Sequence, residues 1–522
     1  MMTAAGLPRA PRLPFLSLAV LALFSAGLLA LCFYPLEHPR VAENGFAVLV
    51  WVALVPLFLA LRLVRRPVQG AWLGLLFGLV FFFLLHRYLL MYGMLPTFLV
   101  ALLQAFPLFL FGWVAAYVLR RSSGLASALA LAGTWVLQEA LRGNLGTLSL
   151  TFGQLGYTQH GFLPLLQAAS VAGVLGLSFL IVLVNAAVAG VLRRPERTGS
   201  AWAALGLALA LLAVTGGAGG WRLRQPLPVG QSLWVGVVQP NVQLHAPITP
   251  EDAEVCREVY PLYTDLLMSG LSLSVAEGEG FARPELVVWP ETALPAALNL
   301  QPEFMSAAVM TAAMNRVSLL LGALEQEEDR VYNTAWLLGP DGGLQGTYRK
   351  QDLVMFGEYV PFRDSLPLLK RYPIRDFDFS PGHGRPLLRL KDIPFGALIC
   401  FEAIFPGPAR EEVQKGARFL AVLNSDAWAG PSPEVYVHSW TAPLRAVETG
   451  RWVVRAASIG RSAIISPRGK IVDQVKPLRS GVGHGEIAAL TGLTPYVRYG
   501  DTPLLVVSGL LVLIGLGLWW RL

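Results

Sequence analysis

Apolar residues fill the first 220 positions in long blocks, separated by short polar segments that carry most of the arginines found there. A helix crossing a bilayer core needs about 20 such residues. Blocks at 14–34, 45–61, 68–85, 95–119, 124–141, 164–192 and 199–220 approach or exceed that length, and another lies at 502–520, just before Arg521. The pattern predicts an α-helical membrane bundle of about eight spans, seven ahead of residue 221 and one behind residue 501.

Residues 221–501 follow a different rhythm. Leu233-Trp234-Val235-Gly236-Val237-Val238, Leu286-Val287-Val288-Trp289, Leu319-Leu320-Leu321, Ala397-Leu398-Ile399 and Phe419-Leu420-Ala421-Val422-Leu423 are short, nearly continuous apolar runs, as strands are in sheets covered on both faces. Helical spacing intervenes over 302–316, 407–415 and 434–449. One helix start is explicit: Thr249 at the N-cap, Pro250 at the first helical position, and Glu251 and Asp252 where negative charge suits the helix dipole. Alternating strands and helices predict a layered α/β domain of about 280 residues. Gly216-Gly217-Ala218-Gly219-Gly220 reads as the exit from the membrane. The chain thus divides into a membrane domain over 1–220, an α/β domain over 221–501 and a final membrane helix over 502–522.

Composition agrees with a membrane protein: 54% of residues are hydrophobic and 14% charged, against about 25% charged in soluble domains. The net charge of +7 is uneven, because residues 1–220 carry thirteen Arg, no Lys and four Glu, a net +9 that leaves −2 for the rest. A nucleic-acid binder concentrates basic charge on its folded domain, so nucleic acid is not an expected partner. Positive charges near helix ends stay cytoplasmic. Arg9 and Arg12 precede the first block, Arg62, Arg65 and Arg66 follow the second, Arg120 and Arg121 the fourth, and Arg193, Arg194 and Arg197 the sixth, whereas the intervening loops have single arginines at Arg40, Arg87 and Arg142. This alternation puts both termini in the cytoplasm and residues 221–501 outside it. Leu29-Ala30-Leu31-Cys32 has the outline of a lipoprotein cleavage box, but such sites want a small residue before the cysteine and Leu31 is large. The first block therefore reads as an uncleaved anchor.

Three cysteines, Cys32, Cys256 and Cys400, build no disulfide framework, and no C-x-x-C or H-E-x-x-H run suggests zinc, so no metal or cofactor is expected. Reactive groups stand in Val288-Trp289-Pro290-Glu291-Thr292, Gly346-Thr347-Tyr348-Arg349-Lys350 and Gly396-Ala397-Leu398-Ile399-Cys400-Phe401-Glu402. Taken singly, Cys400 reads as a small buried hydrophobe, Glu291 as a loop carboxylate and Lys350 as surface charge.

Taken in order, W-P-E, Y-R-K with F-G-E-Y-V-P, I-C-F-E and N-S-D-A-W resemble the nitrilase superfamily of Glu-Lys-Cys enzymes. Set behind seven apolar blocks and ahead of an eighth, they resemble the apolipoprotein N-acyltransferase family over nearly the whole chain. The resemblance implies a nitrilase-like α-β-β-α sandwich on a membrane bundle, in a bacterial inner membrane with the sandwich on the periplasmic side. It implies acyl transfer without a cofactor, from a phospholipid donor to diacylglyceryl-modified apolipoproteins, through a thioester. In that reading Cys400 is the nucleophile, Glu291 takes its proton and returns it to the leaving group, and Lys350, with the backbone N–H of Phe401, stabilises the oxyanion. A free thiol has a pKa near about 8.5 and needs such help at neutral pH.

The resemblance further implies that Glu358 orients Lys350. Glu402 supports the nucleophile's loop or makes a structural ion pair; both remain open. His438 offers an alternative Cys/His dyad, although Glu291 already fills the base role. Cys32 and Cys256 lack such neighbours and read as structural. The chain departs from the family pattern at Phe401, where tyrosine is common, at Pro240-Asn241-Val242-Gln243-Leu244-His245, which lacks a following tryptophan, and at Ser458-Ile459-Gly460. Each buried CH₂ of a lipid gains about 0.8 kcal/mol, so an acyl groove is required; Met355, Phe356, Phe362 and Gly156-Tyr157-Thr158-Gln159 are expected in its walls. Two rivals remain: a membrane-anchored amidase that hydrolyses a lipid amide and shares Glu291, Lys350 and Cys400, and a transporter or sensor with an inactive domain, which need not keep all three. The expected absence of buried charge pairs from the spans counts against the second.

Overall fold

The computed structural model describes residues 13–34, 46–192, 198–243, 248–270, 282–360, 378–427, 430, 432 and 434–517. Arg9, Arg12, Arg40, Arg193, Arg194, Arg197, Leu244, His245, Phe362, Trp428 and Arg521, on which some expectations rest, lie outside these residues.

The N-terminal part is helical: α1 (Phe15–Cys32), α2 (Val55–Leu63), α3 (Pro67–Leu85), α4 (Met94–Arg121), α5 (Leu125–Gly143), α6 (Leu163–Leu166), α7 (Ala169–Val191) and α8 (Thr198–Arg224). Among the described residues, α1, α3, α4, α7 and α8 are long and apolar enough to cross a membrane. Two of the expected blocks are interrupted for local reasons. The block at 45–61 divides into a 3₁₀ turn at Ala47–Trp51 and the short α2. The block at 164–192 breaks into α6 and α7, and Gly173 inside α7 takes a non-helical φ of 62°, pressed against Tyr496 where a Cβ would lie 2.4 Å from the ring.

In α5, Glu139 and Arg142 are both buried, against the expectation that the spans hold no buried charge pair. They lie where the helix meets the loop beneath the α/β domain. Glu139 accepts from Trp135 Nε1 (2.8 Å) and the Leu155 N–H (3.0 Å), while Arg142 donates to Gln104 Oε1 (3.1 Å) and the Phe152 carbonyl. These bonds tie both side chains to the loop, so the pair braces it, although Glu139 Oε2 and Arg142 Nε have no hydrogen-bond partner among the described residues.

Small residues set the tightest helix contact. Gly70, Gly74 and Gly78 of α3 face Gly112, Leu108 and Ala105 of α4, and a Cβ on Gly74 would stand 2.1 Å from the Leu108 carbonyl. Such close approach is how apolar helices associate where lipid is as apolar as leucine. At one end of this pair Arg120 donates to the Arg65 carbonyl; the α/β domain sits at the other.

That domain contains β1 (Gln231–Gln239), α9 (Pro250–Ser269), β2 (Leu286–Val288), β3 (Leu294–Ala297), α10 (Pro302–Asn315), β4 (Ser318–Glu327), β5 (Arg330–Leu338), β6 (Leu344–Arg349), β7 (Leu388–Leu390), β8 (Ile393–Ile399), α11 (Pro406–Gln414), β9 (Leu420–Asn424), α12 (Glu434–Ser439), α13 (Thr441–Thr449), β10 (Val453–Ala457), β11 (Ser462–Ile465), β12 (Ile471–Val475), β13 (Gly481–Ala489) and α14 (Pro495–Tyr499). The last helix, α15 (Thr502–Gly515), is apolar but shorter than a full span. Thr249 caps α9 through a reciprocal pair with Asp252. The helix expected over 434–449 is two, divided at Trp440.

Two sheets form, ordered β13-β1-β2-β4-β5-β6, with β3 beside β4, and β12-β11-β10-β9-β8-β7. Their facing sides share one apolar core, in which Val235, Val288 and Leu337 meet Phe395, Ala421 and Val454. Helices α9 and α10 cover the outer side of the first sheet, and α11 and α13 the outer side of the second. This is an α-β-β-α sandwich. Strands β1, β2 and β4 run parallel, as do β8, β9 and β10, which brings the carboxyl ends of β2, β8 and β9 to one edge. Strand β6 reaches the same edge after two antiparallel reversals.

The domain is fastened to the helices by apolar and polar contacts. Ile404, Val437, Trp440, Leu444 and Val447 belong to the apolar core of the membrane region, and Trp440 stacks on His160 at 4.3 Å. The Ile404 carbonyl accepts from Thr151 Oγ1 (3.0 Å) and the Tyr157 hydroxyl (2.6 Å), and Glu448 accepts from the Val174 N–H (2.9 Å).

Candidate active site

Open α/β sheets bind ligands beyond the carboxyl ends of their strands. Glu291 lies just past β2, Lys350 directly after β6, Cys400 directly after β8, and Ser425 and Asp426 directly after β9. Cys400 has a φ of +51°, a left-handed conformation costly for a non-glycine residue, held between β8 and the 3₁₀ turn Cys400–Ile404. Such a turn lifts the thiol off the strand axis.

The expected residues come together through three cross-links. Lys350 Nζ donates to Glu291 Oε1 at 3.1 Å and Glu358 Oε1 at 2.9 Å, with Lys350, Glu291 and Glu358 all buried. Asn333 Nδ2 bridges the same two oxygens, at 2.7 and 3.2 Å. The backbone of Ser425 joins Glu291 to the thiol: its N–H donates to Glu291 Oε2 (2.9 Å), and its carbonyl accepts from Cys400 Sγ (3.7 Å). Glu402 forms the third link. It accepts from the N–H of Gln351, next to Lys350, at 2.9 Å, from the N–H of Ile399, next to Cys400, at 2.8 Å, and from the Tyr348 hydroxyl and Arg385. It is therefore both an ion-pair partner and a brace between two segments of the site.

The electrostatics follow from this crowding. Burial pulls the Lys350 ammonium down, but the Glu291 and Glu358 carboxylates outweigh it and hold the group charged, above its usual range. Burial and the Glu291 carboxylate push the Cys400 thiol well up, against the opposing pull of Lys350. The resting site is a neutral thiol beside an ammonium paired with carboxylates, so sulfur becomes nucleophilic only as its proton leaves. Because a raised thiol pKa leaves less thiolate at neutral pH and more with each rise in pH, alkylation of the Cys400 peptide by iodoacetamide should climb about tenfold per unit from pH 7 through pH 9. A plateau below pH 8 would mean a preformed thiolate.

His438 does not pair with Cys400. Its Nδ1 meets Asp426 Oδ1 at 2.8 Å, and Arg455 Nη2 meets Asp426 Oδ2 at 3.3 Å. Burial pushes the Asp426 carboxyl up, but His438 and Arg455 outweigh it and hold it below its ordinary value. Asp426 is anchored next to Ser425, so this cluster steadies the peptide that joins Glu291 to Cys400. The Ser458-Ile459-Gly460 turn closes against it: a Cβ on Gly460 would lie 1.8 Å from Asp426 Oδ2. Gly322 is just as constrained: a Cβ there would lie 2.5 Å from Glu291 Cα and 2.6 Å from the Pro290 carbonyl. Gly322→Ala should lower the melting temperature by about 5 °C and acyl transfer about 10²-fold through displacement of Glu291, read by thermal unfolding and turnover in parallel.

A cavity of about 920 Å³ opens between the domain and the membrane helices, lined by Met355, Tyr359, Phe379, Phe401 and Phe405 among others. Phe401 meets Phe405 edge-on at 5.1 Å. Of the expected groove residues, Met355 lines this cavity; Gly156, Tyr157, Thr158 and Gln159 are instead buried in a 3₁₀ turn, where Tyr157 holds Ile404. Asn333, Ser425, Tyr348 and Arg385 had no role assigned from sequence. A polar residue amid the apolar run of β5 was the available sign of Asn333.

Residues 25–187 match the family described as apolipoprotein N-acyltransferase N-terminal domain, and residues 268–496 match carbon-nitrogen hydrolase. The apolipoprotein N-acyltransferase of Gloeobacter violaceus is 34% identical over 494 residues, covering 91% of this chain and 90% of its own. That of Geobacter metallireducens is 32% identical over 503 residues, covering 92% and 91%. Among solved structures, Saccharomyces cerevisiae Nit3, of the nitrilase superfamily, aligns with a TM-score of 0.37 at 20% identity over 50% of this chain and 91% of its own. The two relatives, matched over both the helical region and the sandwich, together with the N-terminal family match, show that the chain belongs to the apolipoprotein N-acyltransferase family.

Proposed function

We propose that the protein moves an acyl chain from a phospholipid to the N-terminal amine of a diacylglyceryl-modified apolipoprotein, with Cys400 holding the chain as a thioester. Glu291 takes the thiol proton as sulfur attacks the ester carbonyl. Lys350 and the Phe401 N–H stabilise the oxyanion; the carbon–oxygen bond then breaks, and the lysophospholipid leaves with the proton from Glu291. The acceptor amine attacks the thioester, Glu291 receives the amine proton, and the carbon–sulfur bond breaks as that proton returns to sulfur. Glu358 holds Lys350 in place.

The observation that carries this reading is the Ser425 peptide, which contacts Glu291 through its N–H and Cys400 through its carbonyl. The reading divides the chain at 1–220, 221–501 and 502–522. It places both termini in the cytoplasm and the sandwich on the periplasmic side, supported by Arg65, Arg66, Arg120 and Arg121 at the bundle end away from the domain.

Mass spectrometry of purified protein incubated with phospholipid and no acceptor tests the chemistry. The expected result is a hydroxylamine-labile acyl adduct on the Cys400 peptide, with one lysophospholipid released per adduct. Steady release of free fatty acid would favour a hydrolase instead.

A further inference from the structure

Beside α12, a second cavity of about 700 Å³ lies between α1, the end of α3 and the domain. Phe24, Leu28 and Leu31 of α1 and Leu84 and Leu85 of α3 make its membrane-side walls. Phe24 and Leu31 are exposed, so these walls open where acyl chains would lie.

Polar groups gather at the domain end: Arg87, Tyr34, Ser432 and Glu434. The exposed Arg87 guanidinium stands 4.8 Å over the Tyr34 ring and has no carboxylate within ion-pair distance among the described residues. Glu434 is only 4% exposed, yet its Oε1 has no hydrogen-bond partner among those residues, nor has Ser432 Oγ. Burial and the neighbouring Asp426 push the Glu434 carboxyl up to about 8, with Arg87 opposing. At neutral pH it therefore offers an O–H.

One guanidinium and two hydroxyl donors at the head of an apolar trough suit a phosphodiester carrying acyl chains; an ammonium would be repelled by Arg87. We propose that this cavity holds a phospholipid, its phosphate at Arg87 and one acyl chain along α1. The inference rests on the reading of the chain as an enzyme that draws acyl chains from phospholipid, and it puts the donor on the α12 side of the site. Helix α12 turns Glu434 and Val437 toward this cavity and His438 toward Asp426.

The test uses the full chain in nanodiscs, with phosphatidylethanolamine carrying a diazirine on one acyl chain. Labelling is expected in residues 15–32 and 84–90. Arg87→Gln should reduce it about tenfold and raise KM for phospholipid by a similar factor, with kcat within about twofold. Gly27→Phe should reduce labelling too, because a Cβ at Gly27 meets nothing within 4 Å and the ring can fill the trough. Three results overturn the proposal: no label in either segment; a diazirine diacylglycerol labelling as strongly and insensitive to Arg87→Gln, which would leave only an apolar crevice; or millimolar inorganic phosphate protecting as well as excess lipid, which would leave only an ion site. The Cys400 adduct is read in the same preparations. An adduct without the labelling overturns the cavity assignment alone, whereas wild-type protein that never acquires an adduct overturns the underlying reaction.

Discussion

Cys400→Ala protein should acquire no acyl adduct and transfer acyl chains about 10⁴-fold or more slowly than wild type, while keeping its fold. The size of the effect follows from the covalent route proposed above: in that route, without sulfur there is no intermediate, and Glu291 and Lys350 have nothing to activate. Alanine and serine inherit the same φ of +51°, so neither variant adds backbone strain at the turn. Cys400→Ser retains an attacking atom, but its hydroxyl is far harder to deprotonate than a thiol, so residual activity is expected close to that of Cys400→Ala. Turnover with a synthetic diacylglyceryl peptide and mass spectrometry of the protein check both. Cys32 and Cys256, each buried inside a helix, serve as controls: alanine at either position should leave the adduct on Cys400 unchanged. An adduct persisting in Cys400→Ala protein would move the nucleophile elsewhere.

Lys350→Met carries the next largest effect. The substitution keeps the length of the side chain and removes its charge, which costs the oxyanion a donor, about 10²- to 10³-fold in kcat. It also leaves Glu291 and Glu358 bridged by Asn333 with no ammonium between them. Two buried carboxylates in that position disfavour each other's ionisation, so one would hold a proton at neutral pH and the base would be lost with the donor. Breaking such a buried network by removing one partner destabilises by about 3–5 kcal/mol. The two contributions separate in the double variant Lys350→Met/Glu358→Gln: stability should largely return because one carboxylate is gone, whereas kcat should regain only the part lost with the base and stay about 10²- to 10³-fold below wild type for want of the donor. Full recovery of kcat in the double variant would mean that Lys350 only neutralises charge.

The sandwich was legible because five of its strands contain nearly continuous apolar runs bounded by turns, as burial on both faces favours. Strands β3, β5 to β7 and β10 to β13 escaped notice since tertiary pairing, not local pattern, makes strands of segments such as Gly481–Ala489. The membrane helices were harder to delimit. Hydropathy reports how apolar a block is; it says nothing of a Gly173 out of helical geometry against Tyr496, nor of a buried Arg142 that donates to a carbonyl and an amide. At the site, the resemblance named the groups that differ chemically from their surroundings. The fixings between them are mostly main-chain: the N–H and carbonyl of Ser425 and the N–H groups of Gln351 and Ile399 have no residue identity to read. His438 illustrates the converse. Its identity invited pairing with sulfur, and only tertiary structure reveals the partnership with Asp426.

The carbonyl of Ile404, four residues past the sulfur, is gripped by Thr151 and Tyr157 from the helical region. A soluble fragment cut out at 221–501 would release that grip, bare the indole of Trp440 to water and leave Glu448 without the Val174 amide. The bundle is thus more than a tether keeping the enzyme near its lipids; it supplies the floor on which the reactive turn stands, and truncation for solubility would take that floor away.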